Sequence, residues 1–147
     1  MISLACDHAG FALMQDIKAY LDSINVEYKD FGTYSNESCD YPEFATAASN
    51  AIISGECDKG ILICGTGIGM AIAANKIKGI RAATCTDCYS AEMTRRHNDA
   101  NVLTLGSRVT GLGLVIKIVD TFLNTAFENG TNHIRRIDMI NALDSGR

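Results

Sequence analysis

The chain has 147 residues, which is enough for one domain with a substantial core. Its apolar fraction of 47% and charged fraction of 20% are ordinary for a globular protein, and its net charge of −4 argues against nucleic acid or an anionic membrane as a partner, because clustered Lys and Arg bind both. Small anionic ligands stay compatible with this charge. A single proline and the lack of repeats mark no internal boundary, so we expect one domain over residues 1–147.

Short apolar runs alternate with amphipathic segments along almost the whole chain. The runs predict five strands, over residues 2–6, 26–31, 61–64, 80–85 and 102–105. The segments between them predict helices, and a short final helix is expected to start near Ile134. Strands separated by helices, most of them uniformly apolar, predict a single-domain α/β fold, with three layers (α/β/α) around a five-stranded parallel sheet of Rossmann-like type.

The sequence also predicts a cytoplasmic protein. No apolar stretch approaches the ~20 residues that a membrane span needs, and the first residues lack the basic and long apolar regions of a signal peptide. Cys6, Cys64 and Cys85 lie in apolar runs, where cysteines are more often reduced hydrophobic residues than disulfide partners.

Polar residues cluster directly after several predicted strands. Asp7 and His8 follow the first strand, a glycine-rich run over 65–69 the third, Asp87 the fourth, and residues 106–108 the fifth. Ligands of parallel α/β sheets bind beyond the carboxyl ends of the strands. The sequence therefore places a binding site at this edge of the sheet.

The strongest local signal is the GTGIG run at residues 65–69. Gly65, Gly67 and Gly69 permit positive φ and bring backbone N–H groups together at a helix N-terminus, where they can hold a phosphate or a developing oxyanion. The run is not a P-loop, since no Gly-Lys-Ser/Thr follows, and Met70 breaks the dinucleotide fingerprint. A purely structural tight turn is the alternative.

The residues around this run have two interpretations each. Cys64 directly precedes it, and a thiol at a helix N-terminus can act as nucleophile or base, although a buried strand-end cysteine is the commoner role. Thr66 could donate a hydrogen bond to a substrate oxygen or cap the helix. The spacing Cys85-x-x-Cys88 lacks the second ligand pair of a structural zinc site and the context of a thioredoxin-like motif, so we expect no metal there.

Histidines and arginines complete the candidates. His8 beside Asp7 is as compatible with catalysis as with structure. His97, followed by Asn98, ends a predicted helix, where the helix dipole alone favours a histidine, and His133 in a polar loop is the weakest candidate. Guanidinium groups suit a phosphate, and the candidates are Arg81, Arg108, Arg135 and Arg136. Each could equally be a solvated surface residue. Arg108, directly after the fifth strand, is the best placed.

Taken together, these residues resemble the type B ribose-5-phosphate isomerases and their galactose-6-phosphate and allose-6-phosphate relatives. The matching stretches cover most of the chain in the family's order: ACDHAGF (5–11), DFGT (30–33), DYP (40–42), GILICGTGIGMAIAANKIKGIRAA (60–83) and YSAEMTRRHNDANVLTLGSRVTG (89–111). GILICGTGIG followed by HNDANVL is far more specific than either motif alone.

The resemblance implies that an aldose phosphate and a ketose phosphate interconvert through an enediolate, without a metal or an organic cofactor. It implies that Cys64 moves the proton between C1 and C2, and that Thr66 and the amides of residues 67–69 stabilise the enediolate. His97 and Asp7 would open the furanose ring.

The resemblance also implies a substrate-binding set and an assembly. Asn98 and Tyr41 would hold sugar hydroxyls, while His8, Arg108 and Arg136 would bind the phosphate. The small phosphorylated sugar would lie in an active site shared between two subunits of a homodimer, or of a dimer of dimers. We expect the C-terminal segment, about residues 128–147, to pack on the partner subunit.

One stretch departs from the family pattern. The family usually has Gly-Gly-Arg-His before its last helix and a second Arg three residues after the His, whereas this chain has NGTNHIRR over 129–136, one residue longer. Aligned backwards from Arg136, Asn132 replaces the first arginine, with Arg135 as a neighbouring substitute. Losing one charge-assisted contact to phosphate typically costs about 1.5–3 kcal/mol.

Two alternatives follow. The substrate could be a hexose 6-phosphate or an unphosphorylated sugar, which the departure at Asn132 keeps open. The chain could instead be a non-catalytic module that binds a nucleotide or a sugar phosphate, and the broken dinucleotide fingerprint weighs against this.

Overall fold

The structure is a computed structural model that describes residues 1–144. It contains five strands and six helices in one domain. In chain order these are β1 (Ile2–Cys6), α1 (Phe11–Ser23), β2 (Tyr28–Asp30), α2 (Tyr41–Ile53), β3 (Lys59–Cys64), α3 (Ile68–Ala74), β4 (Ala82–Thr84), α4 (Cys88–Asn98), β5 (Val102–Gly106), α5 (Leu112–Asn124) and α6 (Thr131–Leu143). Across these residues, no helix is both long and apolar enough to cross a membrane.

The five strands form one parallel sheet in the order β2-β1-β3-β5-β4. The three central strands β1, β3 and β5 are almost entirely buried, because helices cover both faces. One core cluster lies under α1 and α5, and a second lies under α2 and α3. The predicted three-layer α/β/α fold with a five-stranded parallel sheet is confirmed.

Local sequence explains the starts of α2 and α4 and the buried face of α5. Pro42 lies in the first turn of α2, where its missing N–H costs nothing. Asp87 precedes α4, and its side chain accepts a hydrogen bond from the backbone N–H of Ser90. The long apolar stripe of α5 buries Val115 and Phe122 among its core residues.

Several element boundaries differ from the sequence-based prediction. Strand β2 is shorter than the predicted 26–31, and β3 begins two residues before the predicted residue 61. The fourth strand begins at Ala82 rather than at residue 80, because Ile80 still belongs to a turn in which its N–H donates to the carbonyl of Ile77. The last helix is not short and does not start near Ile134. It begins at Thr131 and runs for 13 residues, and its polar first turn hid this start from an apolar-periodicity argument.

Candidate active site

The loops after β1, β3 and β5 are joined into one surface at the carboxyl edge of the sheet. The N–H of Ser107 donates to the carbonyl of Cys64 at 2.9 Å, and its hydroxyl donates to the carbonyl of Ala9 at 2.7 Å. The N–H of Arg108 donates to the carbonyl of Gly65 at 3.1 Å. These bonds fix the three loops relative to one another, as a site that must hold a small substrate requires.

Cys64 lies at the centre of this surface. It ends β3, pairs in register with Gly106 of β5, and has 5% of its surface exposed. The N–H of Gly67 donates to its Sγ at 3.1 Å, so the sulfur lies at the start of α3. Backbone N–H groups at the start of a helix are also donors to anionic ligands, so this turn is suited to hold a negatively charged ligand oxygen beside the sulfur.

The turn after Cys64 is built from close backbone packing. Gly67 has a φ of 79°, and a Cβ there would lie 2.9 Å from the carbonyl carbon of Leu105, so no other residue fits without a shift. Thr66 is exposed, and its hydroxyl accepts a hydrogen bond from the N–H of Ile68 at 3.3 Å. Its Oγ1 therefore caps the turn.

The other two glycines of the run provide contact surfaces for side chains. The guanidinium of Arg108 lies against Gly65, where an added Cβ would be 3.3 Å from a guanidinium nitrogen. The ring of Tyr41 lies against Gly69, where an added Cβ would be 2.8 Å from a ring carbon. The structure therefore brings Arg108 and Tyr41 to the turn of Cys64, as the resemblance implies.

Asp7 and His8 form the neighbouring wall. Asp7 is buried, and its Oδ1 accepts the N–H groups of Ala9 and Gly10 at 2.9 and 3.0 Å, while its own N–H donates to the carbonyl of Ile63. Nδ1 of His8 accepts a hydrogen bond from the backbone N–H of Cys39 at 3.3 Å, which ties the ring to the loop after β2.

Within one chain, His97 and Asn98 do not join this surface. They end α4, and the chain then enters β5 at the opposite edge of the sheet, where the N–H of Gly60 donates to the carbonyl of Asn101. Lys59 begins β3 at this amino edge. Cys64 lies five residues further along the strand, which is about 16 Å at the rise of a strand. Arg136 is exposed on α6, which packs against α4, and also lies outside the Cys64 surface.

His97 instead belongs to a cluster at the amino edge of the sheet. Its ring stacks on that of His133 with centroids 4.4 Å apart, and Nε2 of both rings faces Oε2 of Glu128, at 3.7 Å for His97 and 3.6 Å for His133. Arg96 bonds the other oxygen of Glu128 and holds the pKa of that carboxyl below its ordinary value. Sequence reasoning missed Glu128, because an exposed acidic residue in a loop gives no pattern.

The remaining cysteines have no comparable setting. All six lie within residues 1–144 and are free thiols. Burial raises the pKa of Cys6 to about 12 and that of Cys85 to about 11, so neither is ionised near neutral pH. The described part of the chain gives Cys64 a different setting, because its sulfur accepts a hydrogen bond from the backbone N–H of Gly67.

Comparisons with known proteins identify the family of the chain. A protein of Escherichia coli (strain K12) named ribose-5-phosphate isomerase B is 49% identical over 146 residues, covering 99% of this chain and 97% of that protein. The solved structure of Clostridium thermocellum ribose-5-phosphate isomerase B matches with a TM-score of 0.97 and 50% identity, covering 99% of this chain and 97% of that one. A galactose-6-phosphate isomerase subunit of Clostridium acetobutylicum is 38% identical, covering 100% of this chain and 87% of the relative. The family described as Ribose/Galactose Isomerase matches residues 2–140, and the chain therefore belongs to that family.

Proposed function

We propose that this protein is an aldose–ketose isomerase that interconverts ribose 5-phosphate and ribulose 5-phosphate. The observation that carries the proposal is the position of the Cys64 sulfur, held 3.1 Å from the N–H of Gly67 in a turn of backbone donors at the end of a central strand. Moving a proton between C1 and C2 needs a base on one side and hydrogen-bond donors where oxygen becomes negative. Cys64 and the turn supply both.

In this mechanism the thiolate of Cys64 removes the proton from C2 of the open-chain aldose. The electron pair forms the C1–C2 double bond of an enediolate, and its oxygens receive hydrogen bonds from Thr66 and from the amides of residues 67–69. In the enediolate the hydroxyl proton on O2 passes to O1. The thiol then returns its proton to C1 as the C2–O2 bond becomes the carbonyl, which gives the ketose and regenerates the thiolate. Atoms and charge balance without a metal or an organic cofactor.

Substrate binding uses the groups that surround the turn. Arg108 beside Gly65 and His8 in the loop after β1 are suited to the phosphate, since both donate hydrogen bonds to anions. Tyr41 against Gly69 is suited to a sugar hydroxyl. Asp7 would share the ring-opening step with a histidine, and its buried carboxylate already has two backbone donors.

That histidine is His97 of a second subunit in our proposal. Within one chain His97 lies at the opposite edge of the sheet from Cys64, so a complete site needs a partner that also supplies Asn98 and Arg136. Exposed apolar side chains on α3 and α6 support such a partner: Ile68 and Ile72 are 55% and 58% exposed, and Met139 and Leu143 are 65% and 72% exposed. Burying such side chains drives association. The C-terminal segment 128–147 would take part, although residues 145–147 lie outside the described part of the chain.

The experiment combines an activity assay with subunit mixing. Purified parent protein is assayed for ribulose 5-phosphate formation beside Cys64→Ala and His97→Asn, and we expect each variant to lose about 10²–10⁴-fold in kcat. The two variants are then mixed after reversible dissociation. If sites are shared in a symmetric dimer, half of the dimers are mixed and half of their sites are intact, so activity returns to about one quarter of the parent value.

Each result has a distinct meaning. Recovery on mixing supports both the reaction and the shared site. No recovery from two inactive variants contradicts the shared site but keeps Cys64 as the base. A Cys64→Ala variant as active as the parent contradicts the mechanism, and a parent that binds ribose 5-phosphate without turnover favours the binding module.

A hexose 6-phosphate is the second candidate substrate. The observations that favour it are the 38% identity to a galactose-6-phosphate isomerase subunit and Asn132 in place of a phosphate-binding arginine. A panel of hexose 6-phosphates in the same assay decides between them by kcat/KM. Faster turnover of a hexose phosphate would change the substrate and leave the mechanism unchanged.

A further inference from the structure

Three side chains that can ligate a metal converge at the amino edge of the sheet, away from Cys64. They come from three segments: His97 ends α4, Glu128 lies in the loop before α6, and His133 lies in the first turn of α6. One ligand atom from each lies within 4.8 Å of the other two, and each histidine Nε2 is 3.6–3.7 Å from Oε2 of Glu128.

The two nitrogen–oxygen separations are close to those around a bound transition metal. With metal–ligand bonds of about 2.0–2.1 Å in a tetrahedron, neighbouring ligand atoms lie roughly 3.3 Å apart. Two histidines and one carboxylate are a donor set that binds zinc with a fourth position left open. The parallel rings must tilt towards a common ion, and side-chain exposures of 40% for His97 and 22% for His133 leave room for this rotation.

The carboxylate of Glu128 is held in place by Arg96, on the side away from the two rings. Arg96 bonds Oε1 of Glu128, and the backbone N–H of Glu128 donates to the carbonyl of Arg96 at 3.1 Å. Oε2 is thereby left facing the two rings. Groups that orient a ligand in this way are typical of metal sites, and Arg96 is in turn bonded to Glu92 at 2.8 Å.

We propose that His97, Glu128 and His133 form a binding site for one divalent transition-metal ion of the zinc class, and that the bound ion inhibits the enzyme. The inhibition rests on the proposed function, in which His97 takes part in opening the sugar ring, and here we assign the proton exchange with the ring oxygen to its Nε2. An ion on that nitrogen occupies its lone pair, so ring opening stops while Cys64 stays intact. The bound ion would therefore regulate the enzyme by inhibition and would take no part in the reaction as a cofactor.

The binding test uses the metal alone. Metal-free full-length protein is titrated with Co²⁺, and the intense visible absorption of tetrahedral Co²⁺ is followed, with Zn²⁺ measured by calorimetry. We expect one ion per chain, with affinity at least about tenfold weaker in Glu128→Gln and in His133→Gln. The matched control is Glu92→Gln, which removes a carboxylate from the same Arg96 without removing a ligand and should bind like the parent.

A second control addresses thiols, because Cys39 and Cys88 are partly exposed and also bind zinc. A Cys39→Ser/Cys88→Ser variant should bind Co²⁺ like the parent. Absence of binding, binding that survives both Glu128→Gln and His133→Gln, or binding lost only in the thiol variant would each overturn the site.

The activity test is separate from the binding test. Zn²⁺ should inhibit the isomerisation of ribose 5-phosphate by the parent and by Glu92→Gln, a chelator should reverse this, and His133→Gln should need at least about tenfold more Zn²⁺. Equal inhibition of parent and His133→Gln would overturn the regulatory role. If the parent has no isomerase activity, the proposed function fails, and the Co²⁺ titration still decides whether the metal site exists.

Discussion

The turn after Cys64 gives a prediction with an internal control, the substitution Gly67→Ala compared with Gly55→Ala. Both glycines have nearly the same positive φ, 79° and 80°. A Cβ on Gly55 would meet nothing within 4 Å, whereas one on Gly67 would lie 2.9, 3.0 and 3.1 Å from the backbone C, N and O of Leu105. The pair therefore separates backbone strain from steric overlap.

The magnitudes follow from these two terms. A left-handed alanine costs about 1–2 kcal/mol in either variant. Overlap with backbone that cannot move aside adds about 1–3 kcal/mol in Gly67→Ala only. Relief of the overlap needs a backbone shift of about 0.5 Å, which displaces the N–H of Gly67 from the Cys64 sulfur, and a misplacement of 1 Å can cost about 10²-fold in rate.

Urea denaturation and steady-state kinetics measure both effects. We expect Gly67→Ala to lose about 2–5 kcal/mol of unfolding free energy and roughly tenfold to a hundredfold of kcat/KM. Gly55→Ala, which follows α2 at the other edge of the sheet, should lose about 1–2 kcal/mol and keep its kcat/KM. Equal losses of stability with unchanged kcat/KM in both variants would refute the role assigned to the turn.

Three further predictions concern other parts of the site. Ser107→Ala removes the 2.7 Å bond to the Ala9 carbonyl, so unfolding free energy should fall by about 1 kcal/mol and KM should rise, and an unchanged KM would count against loop fixation. Asn132→Arg restores the arginine of the family pattern and should lower KM for ribose 5-phosphate; an unchanged KM argues that phosphate binding does not lack this contact. The pKa of Glu128 lies below its ordinary 4.5 because Arg96 bonds it, so its contribution to stability exists above pH 4.5 and is lost as pH falls through the folded pKa. The urea midpoint of the parent should therefore fall more steeply on acidification than that of Glu128→Gln, and parallel profiles would contradict this.

The sheet and the Cys64 turn could be predicted because their signals are local. Uniformly apolar runs identify buried parallel strands, and a glycine run after such a run marks the strand-to-helix turn. The contacts of Gly65 with Arg108 and of Gly69 with Tyr41 could not be predicted in this way. They join side chains from other segments, so only the fold reveals why these two positions lack a Cβ.

The amino-edge cluster shows a different limit. His97 precedes a strand instead of following one, which already indicates that it lies at the opposite edge of the sheet from Cys64. Motif matching alone assigns His97 and Cys64 to one site. It does not indicate that the two residues lie at opposite edges of the sheet within one chain. Glu128 and the stacking of His97 on His133 depend on how the 125–130 loop returns to the end of α4, for which the sequence has no periodic signal.

Cys64 and His97 are assigned to different steps, proton transfer and ring opening. A substrate that needs only one of these steps can therefore distinguish them. Ribose 5-phosphate closes a furanose ring through its C4 hydroxyl and must be opened before C2 can lose its proton. An aldotetrose 4-phosphate has its C4 oxygen esterified, so it cannot form that ring and needs only the step assigned to Cys64. His97→Asn should therefore lose about 10²–10⁴-fold in kcat on the pentose phosphate and much less on the tetrose phosphate, whereas Cys64→Ala should lose activity on both. The assay follows ketose formation from each sugar by both variants and the parent. Equal loss on the two sugars in His97→Asn would mean that His97 acts in the proton transfer itself or supports the structure, and the division of the reaction between the two edges of the sheet would be wrong.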